Sequence, residues 1–393
     1  MRGNFVGNLL RMERVRQGKG QKEICYGICV TSYLCKIEKG QVKADEAIIK
    51  KLFKQLGIDY CQDEQLLEEA STLIKQYYEQ VHYNLPRTAF EGLKQLEDRL
   101  KYSPLGLDYR LICGMQGEAV YEIVKSCEGC MTDEQLGIFY LLTPTDRPWE
   151  ELLEAYEKAY KLLGTSASYY NIMIALFQLG RYAEIHRRAK ICRELAIEEG
   201  NTYILAATFL MQGHAYAVLD LDEFMMEYYE RGLRLLQNTN WIEDKELESV
   251  YYNMGSVFVT TKDYQKALDY LDKVTVESFM LCQKKALVHI RTGNVEEAQI
   301  YLEKMKDYLN EGEDAKVYSV MYEEAVMEQK KDYLKDPAYL EILERLQKVI
   351  KEERHFGYLY FYREQIIEAY SAQKKYKKAL AFQKEISSKV VVM

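Results

Sequence analysis

The sequence predicts an all-α protein: a short N-terminal helix-turn-helix domain followed by a long array of helix pairs. Three observations lead there. Only five prolines occur in 393 residues, and Leu, Glu, Lys, Ala and Tyr dominate, which favours long helices over sandwiches or barrels. Apolar residues in the first 58 positions recur at helical spacing between Gly-containing turns. From Asp63 onward helix follows helix, with a pattern recurring every roughly 34 to 42 residues. At 48% hydrophobic and 29% charged residues the chain has the composition of folded protein.

Charge divides the chain in the same place. Residues 1–58 hold 12 Lys and Arg against 5 Asp and Glu, a net +7, while the whole chain carries −8 and the remainder therefore −15. A basic head on an acidic body fits a head that meets phosphate and a body that does not; a merely solvated surface is the other reading. No apolar run of signal-peptide length follows Met1, and no 18-residue uncharged stretch occurs later. Nine cysteines, an odd number, read as reduced thiols. The expectation is a cytoplasmic protein with no membrane partner.

The head is expected to span residues 1–60. Its first helix runs from Phe5 to Gln17, with Val6, Leu10 and Met12 inward, and stops at Gly18-Lys19-Gly20. A second, from Gln21 to Tyr26, ends at Gly27. A third covers Thr31 to Lys39 with Leu34 and Ile37 inward, closed by Gly40. A fourth begins near Asp45 and carries Ile48, Ile49, Leu52, Phe53 and Leu56 at helical spacing. Two short helices joined by a tight turn form the arrangement that lays one helix in a DNA major groove.

Leu10-Arg11, Arg14, Gln21, Gly27-Ile28-Cys29, Ser32-Tyr33-Leu34 and Lys36-Ile37-Glu38-Lys39-Gly40 resemble the repressor/Cro-like (XRE) helix-turn-helix family. The seven-residue step from Arg14 to Gln21 and the closing Ile-Glu-x-Gly are the diagnostic parts. The resemblance implies that Gln21, at the start of helix two, bonds a backbone phosphate. It places Thr31, Ser32, Tyr33 and Lys36 on the exposed face of the recognition helix, within reach of base edges. Lys39 and Lys43 follow in the next loop as phosphate contacts. Arg14 and Glu38 have a structural reading, an ion pair between helices one and three, and Tyr33 has a packing reading beside its DNA one. Two positions depart from the family: Val30 stands where a Ser or Thr cap is usual, and Cys35 where Ser is common. A lost cap costs about 1 kcal/mol unless Thr31 substitutes.

The body, residues 61–393, is expected to be a right-handed tetratricopeptide-like α-solenoid that binds ligand and dimerises. Its clearest unit is Tyr251 to Val274, where Tyr251, Met254, Gly255, Phe258, Tyr264, Ala267, Leu271 and Val274 follow the tetratricopeptide spacing around a Lys262-Asp263 turn. Ala286, Gly293, Val295, Ala298, Leu302 and Met305 form the next unit. Leu176, Gly180-Arg181-Tyr182, Ile185 and Ala189 repeat the pattern upstream, and Tyr370, Tyr376 and Ala379 downstream. Degenerate units fill 201–237 and 315–354. Small residues at the crossings let helices approach while Tyr, Phe and Leu fill the space around them.

The first helix of each pair forms the inner wall, the natural binding surface of such an array. Two echoes sit there, Tyr169-Tyr170-Asn171 and Tyr251-Tyr252-Asn253. An asparagine amide both donates and accepts, so Tyr170, Asn171, Tyr252 and Asn253 read as a ladder for an extended peptide backbone. The competing reading makes each Asn a bond between helices and each Tyr core. Repeat register adds Phe177, Gln178, His214, Ser256, Thr260 and Arg291 to the wall.

The combination of this head with this body resembles the Gram-positive peptide-pheromone regulators of the RRNPP (Rgg-like) group. By that resemblance the body dimerises and binds a short imported peptide, which changes how two heads are spaced on an operator. The implied partners are double-stranded DNA, a short peptide and a second copy of the chain. A tetratricopeptide adaptor with weak or accessory DNA binding is the alternative.

No phosphate loop, His-Glu-x-x-His or nucleophile elbow occurs. Cys127-Glu128-Gly129-Cys130 has half-site spacing but no second pair or His partner. No enzyme activity, cofactor or metal is therefore expected.

Overall fold

Glycine, capping residues and apolar spacing place the helix ends close to where the sequence puts them. The computed structural model describes residues 5–218, 221–238, 244–309, 312, 314–353 and 356–391, and every regular element among them is helical. The chain divides into two compact units, Met1–Ile172 and Met173–Met393.

The first unit opens with α1 (Phe5–Arg16), α2 (Gln21–Cys25), α3 (Thr31–Glu38) and α4 (Glu46–Gln55). Asp45 caps α4 by accepting from the amide of Ala47 at 2.8 Å. Val30 starts α3 in an extended conformation with no side-chain cap, so that substitution is not compensated by a neighbouring hydroxyl at the cap. Leu9, Leu10, Ile24, Leu34, Ile37, Leu52 and Phe53 are fully buried in one core. Leu9, absent from the sequence-based core, is inward, while Val6 and Met12 are half-buried. The close crossing of α1 and α3 depends on Gly7, where an added Cβ would stand 1.9 Å from the carbonyl oxygen of Ile37.

The head keeps its own core yet belongs to the same compact unit as the helices that follow it. Tyr102 packs on the head core and donates its hydroxyl to Glu13 at 3.3 Å, and the amide of Cys61 bonds the Tyr102 carbonyl at 2.8 Å. Helices from Glu64–His82 to Trp149–Leu163 complete this unit around two further clusters.

In the second unit the pairs Thr202–Val218 with Asp222–Gln237, Asp244–Thr260 with Tyr264–Leu271, Phe279–Thr292 with Val295–Lys306, Ala315–Glu328 with Pro337–Glu353, and Arg363–Ala372 with Tyr376–Val391 follow one another. Small residues at the crossings act as the sequence requires. A Cβ on Gly255 would lie 2.6 Å from Leu271, and one on Gly213 would lie 2.7 Å from the Tyr229 ring. A short helix, Phe356–Phe361, stands between the last two pairs, where repeat spacing gave no element.

Candidate functional site

Two surfaces have the make-up of sites, one in each unit. On the head, the exposed edge of α3 carries Ser32 and Lys36, with Thr31 and Tyr33 half-buried beside them and Lys39 and Lys43 exposed in the loop that follows. Tyr33 also packs against the head core, so its ring takes part in both roles the sequence left open. Among the described residues the Lys36 ammonium makes no hydrogen bond or ion pair, which leaves it to solvent or to a ligand.

Beneath that edge Glu38 is buried and gathers three donors. Arg14 Nε and Nη2 reach its two oxygens at 2.6 and 3.0 Å, and the Gln21 amide donates to Oε2 at 2.8 Å. The same arginine bonds the Lys19 carbonyl at 2.9 Å. A carboxylate with 3% of its side chain exposed needs these partners, and the cluster ties α1, α2 and α3 together. The structural reading of Arg14 with Glu38 is thus what the structure contains. Gln21, assigned from the family resemblance to a phosphate, gives one of its two amide hydrogens to Glu38.

The second surface is a cavity of about 200 Å³ lined by Phe177, His214, Tyr252, Asn253, Ser256 and Thr260 among others. Most of these sit on first helices of their pairs, as repeat register requires. The lining also includes Lys284 and the Tyr358, Tyr360 and Phe361 of the short helix. Sequence reasoning missed this second group; the aromatic run Tyr358-Leu359-Tyr360-Phe361 was the available signal.

Polar groups in the cavity differ in how far they are engaged. His214 Nδ1 meets the Tyr229 hydroxyl, and Ser256 and Thr260 return their hydroxyls to the carbonyls of Tyr252 and Val257 at 2.8 and 2.7 Å. The side-chain amide of Asn253, half-buried at the wall, makes no hydrogen bond with any described residue. Its free donor and acceptor are what the backbone of an extended ligand needs. Burial pushes the Tyr252 hydroxyl above its ordinary value and keeps it protonated.

The remaining wall candidates lie elsewhere. Tyr170 and Asn171 belong to the first unit, and the Asn171 amide donates to the Ala167 carbonyl one turn back at 2.9 Å. Gln178 lines neither this cavity nor its neighbour. Arg291 lines an adjoining, charged cavity of about 440 Å³ that shares Thr260 and Phe361 with the first. It is paired there with Glu328, and despite burial this partner holds the guanidinium in its charged form.

Helix pairs with small residues at their crossings, behind a four-helix head, define a tetratricopeptide-like α-helical repeat protein. Two solved structures are similar to it. The apo form of the quorum sensor NprR from B. thuringiensis matches with a TM-score of 0.57 at 15% identity, covering 82% of this chain and 99% of that one. The Rap conjugation gene regulator of the plasmid pLS20, solved in complex with a Phr peptide, matches with a TM-score of 0.50 at 13% identity, covering 99% of this chain and 98% of that one. At such identities the likeness establishes the fold. No family model matches the chain, and no curated protein does. No helix among the described residues is long and apolar enough to cross a membrane.

Proposed function

We propose that this protein is a homodimeric, cytoplasmic transcriptional regulator that reads duplex DNA through its head and is controlled by a short peptide bound in the repeat groove. It acts by binding, without catalysis. The observation that carries the peptide half is Asn253: an amide with no partner among the described residues, on the wall of an aromatic-lined cavity, is poised for a peptide backbone. The fold is shared with a Rap regulator solved with a Phr peptide and with a quorum sensor, which supports the same reading.

The DNA half rests on the +7 head and on the exposed Ser32, Lys36, Lys39 and Lys43 at and beyond α3. A dimer follows from the size of the head, which covers a half-site alone.

Selection of binding sites from a random duplex pool by the purified full chain, with and without pools of short peptides, tests both halves. An enriched two-fold symmetric sequence whose recovery changes with peptide is the expected result. No enrichment at low or moderate salt would transfer the protein to the adaptor class, with the groove holding a segment of another protein.

A further inference from the structure

We propose that Lys284 is the anchor of a carboxylate subsite in the groove, holding either the C-terminal carboxylate of a bound peptide or the side chain of an Asp or Glu within it. This rests on the peptide reading above and names the chemistry of one end of the ligand.

Lys284 is 4% exposed, yet it lines the cavity. Its ammonium donates to Gln283 Oε1 at 2.8 Å and lies 3.4 Å from the centre of the Phe361 ring. No described carboxylate is within ion-pair distance of it. The surrounding charged side chains have other partners: Arg291 on the same helix holds Glu328, and Glu324 on Ala315–Glu328 accepts from the Tyr339 hydroxyl at 2.9 Å. In the adjoining cavity Lys262 pairs with Glu364 and Glu368.

A buried ammonium with one hydrogen bond and no counterion is costly by itself. A carboxylate that accepts from its remaining N–H groups offsets that cost. Burial, followed by the charge of Arg291 and only partly opposed by Glu324, holds the group down to about 7, so an arriving anion recovers the charged form. Tyr252, Tyr358 and Phe361 around it supply the apolar and aromatic wall that covers the rest of such a ligand.

The test offers the purified full chain two pools of random pentapeptides, one of free acids and one of C-terminal amides, and identifies retained peptides by mass spectrometry. One retained free-acid peptide and its amide are then titrated into the parent and into Lys284→Met. Preferential retention of free acids, with affinity lowered about ten-fold or more by amidation in the parent but not further in Lys284→Met, is the expected result. Retention from the amide pool of peptides enriched in Asp or Glu, with the same loss in Lys284→Met, would assign the subsite to a side chain. Equal retention from both pools without acidic enrichment, and equal affinity for parent and variant, would overturn the subsite while leaving the peptide reading intact. Retention of nothing by the parent would overturn both. If the variant does not fold, two comparisons on the parent alone decide the matter: the free acid against its amide, and an Asp- or Glu-containing peptide against its Asn or Gln counterpart.

Discussion

Arg291 grips Glu328 at two points, Nε to Oε2 at 3.0 Å and Nη2 to Oε1 at 2.8 Å, with only 1% of the Glu328 side chain exposed. Glu324 stands one turn earlier on the same helix, fully buried, and its Oε2 has no hydrogen-bond partner among the described residues. Burial first, and then Glu328, push the Glu324 carboxyl well above the usual range. Arg291→Met strips the cation from two buried acids and is expected to cost about 3–5 kcal/mol in urea unfolding of the full chain. Arg291→Met with Glu328→Gln is expected to recover most of that loss. A single variant as stable as the parent would show that the pair contributes nothing.

Gly7 allows α1 to touch the backbone of α3, and Gly7→Ala places a methyl carbon 1.9 Å from the Ile37 carbonyl oxygen. That atom is backbone and cannot rotate away. The head is expected to lose about 3 kcal/mol and with it duplex binding, while the thermal transition of the repeat unit is unchanged. Duplex binding retained at the parent level would mean that α1 shifts to accept the methyl.

The α3 edge and the repeat pairs were legible because periodicity and small residues report local packing directly. Leu34 and Ile37 mark the inward face of α3, and Gly255 with Ala267 marks a helix crossing. Lys284 was not legible, since a lysine in a helical pattern reads as solvated surface and its burial depends on Phe361, far along the chain. Gln21 shows the same limit from the other side. The family pattern fixes its place at the start of α2, but not the bond that one of its amide hydrogens makes to Glu38, a pairing decided by how three helices meet.

Asn253 and Asn171 are sequence echoes with different surroundings. One is unpartnered among the described residues at the cavity wall; the other already bonds the Ala167 carbonyl. Asn253→Ala is expected to weaken a selected peptide about ten-fold, the loss of two hydrogen bonds of about 0.5–1.5 kcal/mol each, without altering DNA affinity measured in the absence of peptide. Asn171→Ala is expected to have a smaller effect. Calorimetric titration of both variants decides this, and equal losses would restore the two-rung ladder that the sequence proposes.

Lys36 is exposed on α3 and its side chain makes no described bond, so its removal tests contact with DNA separately from stability. Lys36→Ala is expected to weaken the selected duplex by about 1–3 kcal/mol and to leave the melting temperature unchanged. Measuring affinity against salt separates its roles. A phosphate contact lowers the salt slope by about one and weakens all sequences alike, whereas a base contact relaxes one operator position. Unchanged affinity would remove Lys36 from the interface.

Lys284 also gives stability a definite dependence on pH. Its ammonium titrates at about 7 in the folded chain against the ordinary 10.5, because burial disfavours the charge. Between those values the unfolded chain binds a proton that the folded chain does not, so this group makes unfolding free energy rise with pH by about 1.4 kcal/mol per unit. Below about 7 both states are protonated, the full cost of the buried charge is present, and the contribution is flat. Lys284→Met removes the titration. The variant is expected to exceed the parent in stability most clearly near pH 7, with the difference shrinking through pH 8 and 9. Urea unfolding of both proteins at the three pH values measures it, and a difference that does not change with pH would mean that the ammonium is solvated in the folded chain and that Lys284 holds no stored cost for a ligand to relieve.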